Sequence, residues 1–206
     1  MIIVWLQIKS LVLVIVTEVY PLSHIYYLPF SLSVCLFGAL SLSFSLNQIM
    51  YIWCDLNSDP SGFTTHRIAC EEPSLLAGIG IHSGSHGDYN GNYDNSPWKS
   101  CSASSAVPTI GFHGDRDSIV PFNGGNNPTP WSSSKWGSFA QTMDVWGNQN
   151  SCTGSSSSTF TESGDTVVKT TYEGCEVEGY VINGMGHEWW SGSTSRIISF
   201  LKNHGL

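Results

Sequence analysis

Residues 107–121 have the sequence VPTIGFHGDRDSIVP. The first six residues are mostly apolar, which is typical of a buried strand, and Gly114 then permits a turn of the chain. The pattern therefore predicts a strand over 107–112, with Asp117 just beyond its carboxyl end. Ligands and catalytic groups of open α/β sheets gather at that edge, so Asp117 is a candidate functional residue.

A second segment, residues 178–187, has the sequence EGYVINGMGH. Its apolar residues alternate, which predicts a last strand, and the glycines that flank Met185 present His187 on a close-packed turn. An imidazole exchanges protons near neutral pH, and a carboxylate partner fixes its tautomer and stabilises its cation. The two segments therefore predict an acid–base pair of Asp117 and His187, in the chain order of α/β-hydrolases.

Each residue also has a purely structural interpretation. Asp is favoured in turns, so Asp117 could only cap the turn that precedes Ile119 and Val120. His187 could be an ordinary loop residue that follows two glycines. The sequence pattern leaves both alternatives open.

Four stretches of the chain together resemble one protein family. They are THRIACE at 65–71, LAGIGIHSG at 76–84, the block 108–125 and the run 184–190. Over about residues 62–206 the chain resembles the secreted polyhydroxybutyrate depolymerase and feruloyl esterase family of α/β-hydrolases. The most specific elements are His-Gly-x-x-Asp-x-x-Val-Pro, ending at Pro121, and Gly-x-Gly-His, ending at His187.

The resemblance implies a serine carboxylesterase that needs no metal or cofactor. Asp117 is then the acid and His187 the base, and the substrate is an ester in a polyester or a feruloylated polysaccharide. The family has a Gly-x-Ser-x-Gly elbow eight residues before the position of Arg67, where this chain has Asp59. Neither Ser58 nor Ser61 has glycines at both flanking positions, as the strained elbow requires.

The residue after the nucleophile is also unfavourable. A backbone N–H at that position contributes to the oxyanion hole, and Pro60 has no N–H. The family's other oxyanion donor, on a glycine-rich loop, has no counterpart in residues 1–58. We therefore expect little esterase activity, and the alternative is an inactive relative, or a truncated fragment, that acts as a binding or membrane-anchored protein.

The amino-terminal region has an unusual composition, because residues 19–54 contain no Asp, Glu, Lys or Arg. One interpretation is a membrane or signal-anchor helix near Pro29–Leu46, although its serines dilute the apolar character. A second is a cleavable signal with Lys9 before the apolar Leu11–Val16, and a third is an aberrant start of a longer hydrolase. We therefore predict a hydrophobic segment over 1–58 and the carboxyl-terminal part of an α/β-hydrolase domain over 59–206.

The predicted fold class is α/β, a partial α/β-hydrolase sheet that is mainly parallel, has flanking helices and lacks its amino-terminal strands. Apart from residues 107–112, the predicted strands are Leu76–His82, Thr166–Tyr172 and Val177–Asn183. The predicted helices are Thr64–Glu72, about Ser133–Trp146 and Ser195–Asn203. In the second helix, core positions are expected at Trp136, Phe139, Ala140, Met143 and Trp146.

Charge and cysteine content restrict the partners and the compartment. A net charge of −8 with only 8 Lys plus Arg disfavours nucleic acid, which needs a basic surface. The low charge, the serine-rich linker at Ser155–Ser158 and the 6 cysteines suit a secreted or membrane-anchored, extracellular chain. We expect a disulfide between Cys152 and Cys175, with Cys70 and Cys101 as the next pair; residues 19–54 are the possible membrane anchor.

Three further groups of residues are candidate binding sites. Alternating oxygen side chains at 88–94 lack the glycine and the final acidic residue of a calcium loop. His82 and His86 are spaced as zinc ligands on a helix, but the Ser-Gly-Ser between them does not favour a helix. Trp131, Trp189 and Trp190 either hold an aromatic acyl group or a sugar near the base, or are ordinary core and rim residues.

Overall fold

A computed structural model describes residues 3–8, 11–16, 35–40, 49–54, 61–86, 103–126 and 135–204. The strands are β1 (Ile3–Ile8), β2 (Leu11–Val16), β3 (Cys35–Leu40), β4 (Ile49–Cys54), β5 (Leu76–His82), β6 (Thr109–Gly114), β7 (Gly125–Asn126), β8 (Lys135–Trp136), β9 (Gly154–Glu162), β10 (Asp165–Glu173) and β11 (Val177–Ile182). The α-helices are α1 (Ser61–Glu71), α2 (Phe139–Gln149) and α3 (Ser193–Lys202), and a 3₁₀ turn covers Pro73–Leu75.

Seven strands form one mixed sheet in the order β3-β4-β5-β6-β11-β10-β9, of which five come from residues 76–182. Strands β4, β5, β6 and β11 are parallel neighbours, whereas β3 with β4, β11 with β10 and β10 with β9 are antiparallel. The α/β class is confirmed. The expectation of a mainly parallel sheet is not confirmed, because three of the six pairings in this sheet are parallel and three are antiparallel.

The expectation that the amino-terminal strands are missing is wrong in this structure. Strand β4 continues the parallel sheet beyond β5, and β3 pairs with β4. Strands β1 and β2 form a separate antiparallel hairpin. The central part of the membrane-helix hypothesis, 35–40, is a strand, while the rest of Pro29–Leu46 lies outside the described residues. No helix within the described residues is long and apolar enough to cross a bilayer.

The serine-rich segment that was predicted as a linker is a strand. Strand β9 pairs antiparallel with β10 along its whole length, and Ser155–Ser158 lie opposite residues 169–172. Most of β9 is exposed, so its side chains show no apolar alternation. Its backbone hydrogen bonds to β10 are what make it a strand.

Helices cover both faces of the sheet. On one face, α1 and α2 bury Ala69, Phe139, Met143 and Trp146 in a cluster with residues of β5. On the other face, α3 buries Ile197, Phe200 and Leu201 against β6, β10 and β11. Glycines within the strands permit this close approach: a Cβ at Gly111 would collide with the Met143 sulfur, and one at Gly80 would collide with Ile197.

Helix α2 begins later than the apolar pattern predicts. Ser138 caps it, because its hydroxyl accepts a hydrogen bond from the Gln141 backbone while the Gln141 side chain accepts one from the Ser138 backbone. Trp136 is therefore a buried residue of β8 rather than of the helix. Ala140 is exposed, so the predicted stripe is correct only for Phe139, Met143 and Trp146.

The predicted disulfide between Cys152 and Cys175 is present, with a Cα–Cα distance of 5.1 Å and a sequence separation of 23. Cys70 is also disulfide-bonded, while Cys101 lies outside the described residues. The first bridge closes the β9–β10 hairpin onto the end of α2.

Breaking the bridge between Cys152 and Cys175 with a Cys152→Ser/Cys175→Ser double variant should lower the free energy of unfolding by about 3 kcal/mol, the entropy of a loop of this length. Urea unfolding of both proteins measures the difference, and an unchanged midpoint would contradict the estimate.

Candidate functional site

The carboxyl ends of the parallel strands meet at one edge of the sheet. His82 ends β5, Gly114 ends β6 and Ile182 ends β11, and these three strands are adjacent. The turns that follow β6 and β11 therefore lie side by side. One of these turns contains Asp117 and the other contains His187.

Two hydrogen bonds, one of them to the Asp115 side chain, hold the two turns against each other. The N–H of Arg116 donates to the Met185 carbonyl at 2.9 Å. The N–H of Gly184 donates to Oδ1 of Asp115 at 2.6 Å. Gly114 has no room for a side chain, because a Cβ would collide with the Met185 and Gly186 carbonyl oxygens. The glycines of both motifs therefore bring the turns into direct contact.

The predicted contact between Asp117 and His187 is confirmed. Oδ2 of Asp117 lies 2.8 Å from Nδ1 of His187, and the carboxylate side chain is fully buried. Its other oxygen, Oδ1, accepts hydrogen bonds from the backbone N–H groups of Ile119 and Val120, both at 2.9 Å. Asp117 thus caps its own turn and also binds the histidine, so its two interpretations are not alternatives.

This geometry fixes the proton on His187. A buried carboxylate only accepts hydrogen bonds, so Nδ1 carries the proton and Nε2 keeps its lone pair. None of the described residues forms a hydrogen bond with Nε2, and the side chain is 15% exposed. A ligand in contact with this edge can therefore meet the basic nitrogen. The pair can accept a proton at Nε2 and stabilise the resulting cation.

The environment of Asp117 keeps it ionised. Burial raises the pKa of its carboxyl, but hydrogen bonds from His113, His187 and the Val120 backbone outweigh that effect and hold the pKa well below its usual range. The carboxylate therefore remains an acceptor for the Nδ1–H group of His187 at physiological pH.

Sequence reasoning did not assign a role to His113, which also contacts Asp117. Its Nε2 lies 3.3 Å from Oδ2 of Asp117 and 2.9 Å from the Val120 carbonyl oxygen. The ring is buried and packs against Phe122 and Phe139. Its position in the His-Gly-x-x-Asp motif, four residues before the acid, was the available signal.

A third histidine, His82, borders the site. Nε2 of His82 accepts a hydrogen bond from the Trp190 backbone N–H at 3.1 Å, and Nδ1 lies 3.2 Å from the Ser83 hydroxyl. Its ring stacks on Trp189 with a centroid distance of 4.8 Å. Burial, with repulsion from His113 and His187, lowers the pKa of His82 to about 3, so it is neutral at physiological pH.

The two tryptophans after His187 have different roles. Trp190 is buried and its Nε1 donates to Asp165 at 3.0 Å, so it is a core residue. Trp189 is half-buried and tied to Thr194 of α3 at 3.1 Å. Its ring, stacked on His82, remains available as a rim of the site. Trp131 lies outside the described residues.

The structure does not bring the other described sequence candidates into contact with Asp117 or His187. Ser58, Asp59, Pro60 and the loop 88–94 lie outside the described residues, and Ser61 is the first residue of α1. Within the described residues, no group of three or more His, Cys, Asp or Glu side chains could hold a metal ion. His86 contacts Cys70 and His66, whereas His82 contacts Trp189, so the two histidines have separate environments.

The fold and the site together define an α/β protein with a carboxylate–histidine pair at the carboxyl edge of its parallel strands. No protein-family model matches the chain, and no curated protein matches its sequence.

Proposed function

We propose that this chain has the acid–base site of a carboxylic ester hydrolase of the serine-esterase type. The observation that supports it is the 2.8 Å contact between Oδ2 of Asp117 and Nδ1 of His187 at the carboxyl edge of the sheet. The chain order, acid before histidine, is that of α/β-hydrolases. The resemblance to the polyhydroxybutyrate depolymerase and feruloyl esterase family suggests a polyester or a feruloylated polysaccharide as substrate, outside the cell.

In this mechanism His187 moves the protons. Nε2 takes the proton of a nucleophilic hydroxyl as its oxygen attacks the ester carbonyl carbon, and Asp117 stabilises the imidazolium. Nε2 then returns the proton to the alkoxide of the leaving alcohol as the C–O bond breaks. Water repeats the cycle to release the acid.

The nucleophile is the incomplete part of this site. Strand β4, which pairs with β5, ends at Cys54 and α1 begins at Ser61, so the family's elbow position lies between these two elements in the sequence. Here that position is Asp59, followed by Pro60. We expect the chain to retain the acid and the base while lacking an activated serine.

The esterase proposal predicts weak activity that depends on His187. Purified protein should hydrolyse 4-nitrophenyl acetate little faster than buffer, because only binding and the base remain. His187→Ala should remove any hydrolysis above the rate in buffer. His204→Ala should not, because His204 pairs with Glu176 outside the site. Strong His187-dependent turnover would instead show that Ser58 or Ser61 is an active nucleophile.

Rebuilding the elbow tests the proposal more sharply. A variant with Asn57→Gly, Asp59→Ser, Pro60→Ala and Ser61→Gly restores the Gly-x-Ser-x-Gly pattern. It should gain at least about 100-fold in aryl ester hydrolysis, a small part of the roughly 10⁶-fold that an optimised triad provides. The gain should vanish when His187→Ala is added. A folded variant without any gain would favour the alternative, a non-catalytic protein that binds ligands at the Trp189 rim.

A further inference from the structure

Several hydrogen bonds orient the Asp117 carboxylate toward His187. Two backbone N–H groups fix Oδ1. Oδ2 has two donors on different elements, Nδ1 of His187 at 2.8 Å and Nε2 of His113 at 3.3 Å. The second donor belongs to the end of β6 itself, the strand that leads into the turn.

The hydrogen bonds of His113 determine its tautomer. Nε2 lies 2.9 Å from the Val120 carbonyl oxygen, which can only accept. Nδ1 is buried and has no hydrogen-bond partner among the described residues. The proton is therefore on Nε2, where it is shared between the Val120 carbonyl and Oδ2 of Asp117.

His113 thus ties both ends of the Asp117 turn. One interaction reaches the carboxylate and the other reaches Val120, whose own N–H donates to the same carboxylate. The ring is immobilised between Phe122 and Phe139, with centroid distances of 5.8 and 5.4 Å. A phenylalanine could fill this space, but it would leave Oδ2 with one donor. An imidazole at this position costs stability, because its Nδ1 is buried without a hydrogen-bond partner among the described residues. This cost suggests that the Nε2–H group has a role in binding the Asp117 carboxylate.

We propose that His113 is a positioning residue, which holds the Asp117 carboxylate in the orientation that keeps the proton on Nδ1 of His187. It acts through Asp117 and does not touch the substrate. This inference rests on the proposed function for its purpose, but its geometry can be tested without turnover.

The test is NMR of the histidine rings in ¹⁵N-labelled full-length protein. In His113→Phe, which keeps a ring between Phe122 and Phe139, the Nδ1 proton of His187 should lose about tenfold in protection against exchange, the factor expected for one hydrogen bond. His113→Gln can present a donor near the position of Nε2 and should restore most of the protection.

A matched control separates positioning from packing. Phe122→Leu loosens the same pocket but keeps the Nε2–H donor, so the protection of the His187 proton should not change. Equal losses in Phe122→Leu and His113→Phe would overturn the proposal, as would full protection in a folded His113→Phe.

A measurement on the unmodified protein covers the case in which His113→Phe does not fold. The ¹⁵N shifts of His113 should show a protonated Nε2 and a bare Nδ1, and the opposite tautomer would overturn the proposal. Failure of the rebuilt esterase with these NMR results intact would reject the proposed reaction, not the positioning role.

Discussion

Replacement of Asp117 by alanine is expected to lower the free energy of unfolding by about 3–5 kcal/mol, the usual cost of removing one partner from a buried ionic cluster. The carboxylate accepts hydrogen bonds from two backbone N–H groups and two imidazoles. Alanine leaves the two backbone N–H groups and the Nδ1–H of His187 without their acceptor, and His113 keeps only the Val120 carbonyl. Urea unfolding of the variant and the unmodified protein measures the loss, provided that the unfolding free energy of both depends equally on urea concentration.

Asp115→Ala is the control for this variant. Asp115 is two residues away and its Oδ1 accepts the Gly184 N–H, but it is exposed, so water can replace it. We expect a loss of no more than about 1 kcal/mol. Similar losses in both variants would show that the turn itself, rather than the buried carboxylate, determines the stability.

The protein is also expected to lose about 5 kcal/mol of stability between pH 7 and pH 5, because three buried histidines remain neutral in the folded state. Burial lowers the pKa of His86 to about 4, and burial with repulsion from other histidines lowers the pKa of His82 to about 3 and that of His66 well below the ordinary value. His66 accepts a hydrogen bond from the Trp146 indole at 2.9 Å, so protonation at Nδ1 would also break that contact.

The sign follows from proton binding. These pKa values are depressed on folding, so below about pH 6.5 the unfolded chain binds more protons and stability falls as the pH falls. Asp117 acts in the same direction, since its depressed pKa gives stability that is lost below about pH 4. The unfolding free energy should change by roughly 4 kcal/mol per pH unit near pH 5, to which each of the three histidines contributes about 1.4 kcal/mol.

Two histidine variants test this assignment by urea unfolding across pH 5–8. His86→Gln should lower the slope of the unfolding free energy against pH, near pH 5, by about 1.4 kcal/mol per pH unit, the contribution of one bound proton. His204→Gln is the control variant, because His204 pairs with an exposed glutamate outside this group of buried histidines. Stability that does not change between pH 7 and pH 5 would contradict the assignment.

Much of the central architecture was predictable from local patterns. Strand β5 has the predicted bounds, and β6, β10, β11, α1 and α3 agree with the predictions within three residues. These elements have clear apolar periods or clear capping and breaking residues. The position of Asp117 and His187 after parallel strands was therefore predictable as well, because such strands share one carboxyl edge.

The remaining features depend on contacts between distant residues. Strand β9 has almost no apolar side chains, so only its pairing with β10 identifies it. The His113 ring packs against Phe122 and Phe139, and the His82 ring packs against Phe112 and Trp189. No spacing rule in the sequence predicts these neighbours.

The sequence by itself determined the α/β class, the Asp117 and His187 pair and the bridge between Cys152 and Cys175, because periodicity, turn residues and motif spacing are local properties. Only the tertiary structure decided that the sheet is mixed, that β3 and β4 extend it and that a second histidine shares the Asp117 carboxylate. Strand order and hydrogen-bond partners depend on which distant segments come together, and in this chain the local patterns did not determine those choices.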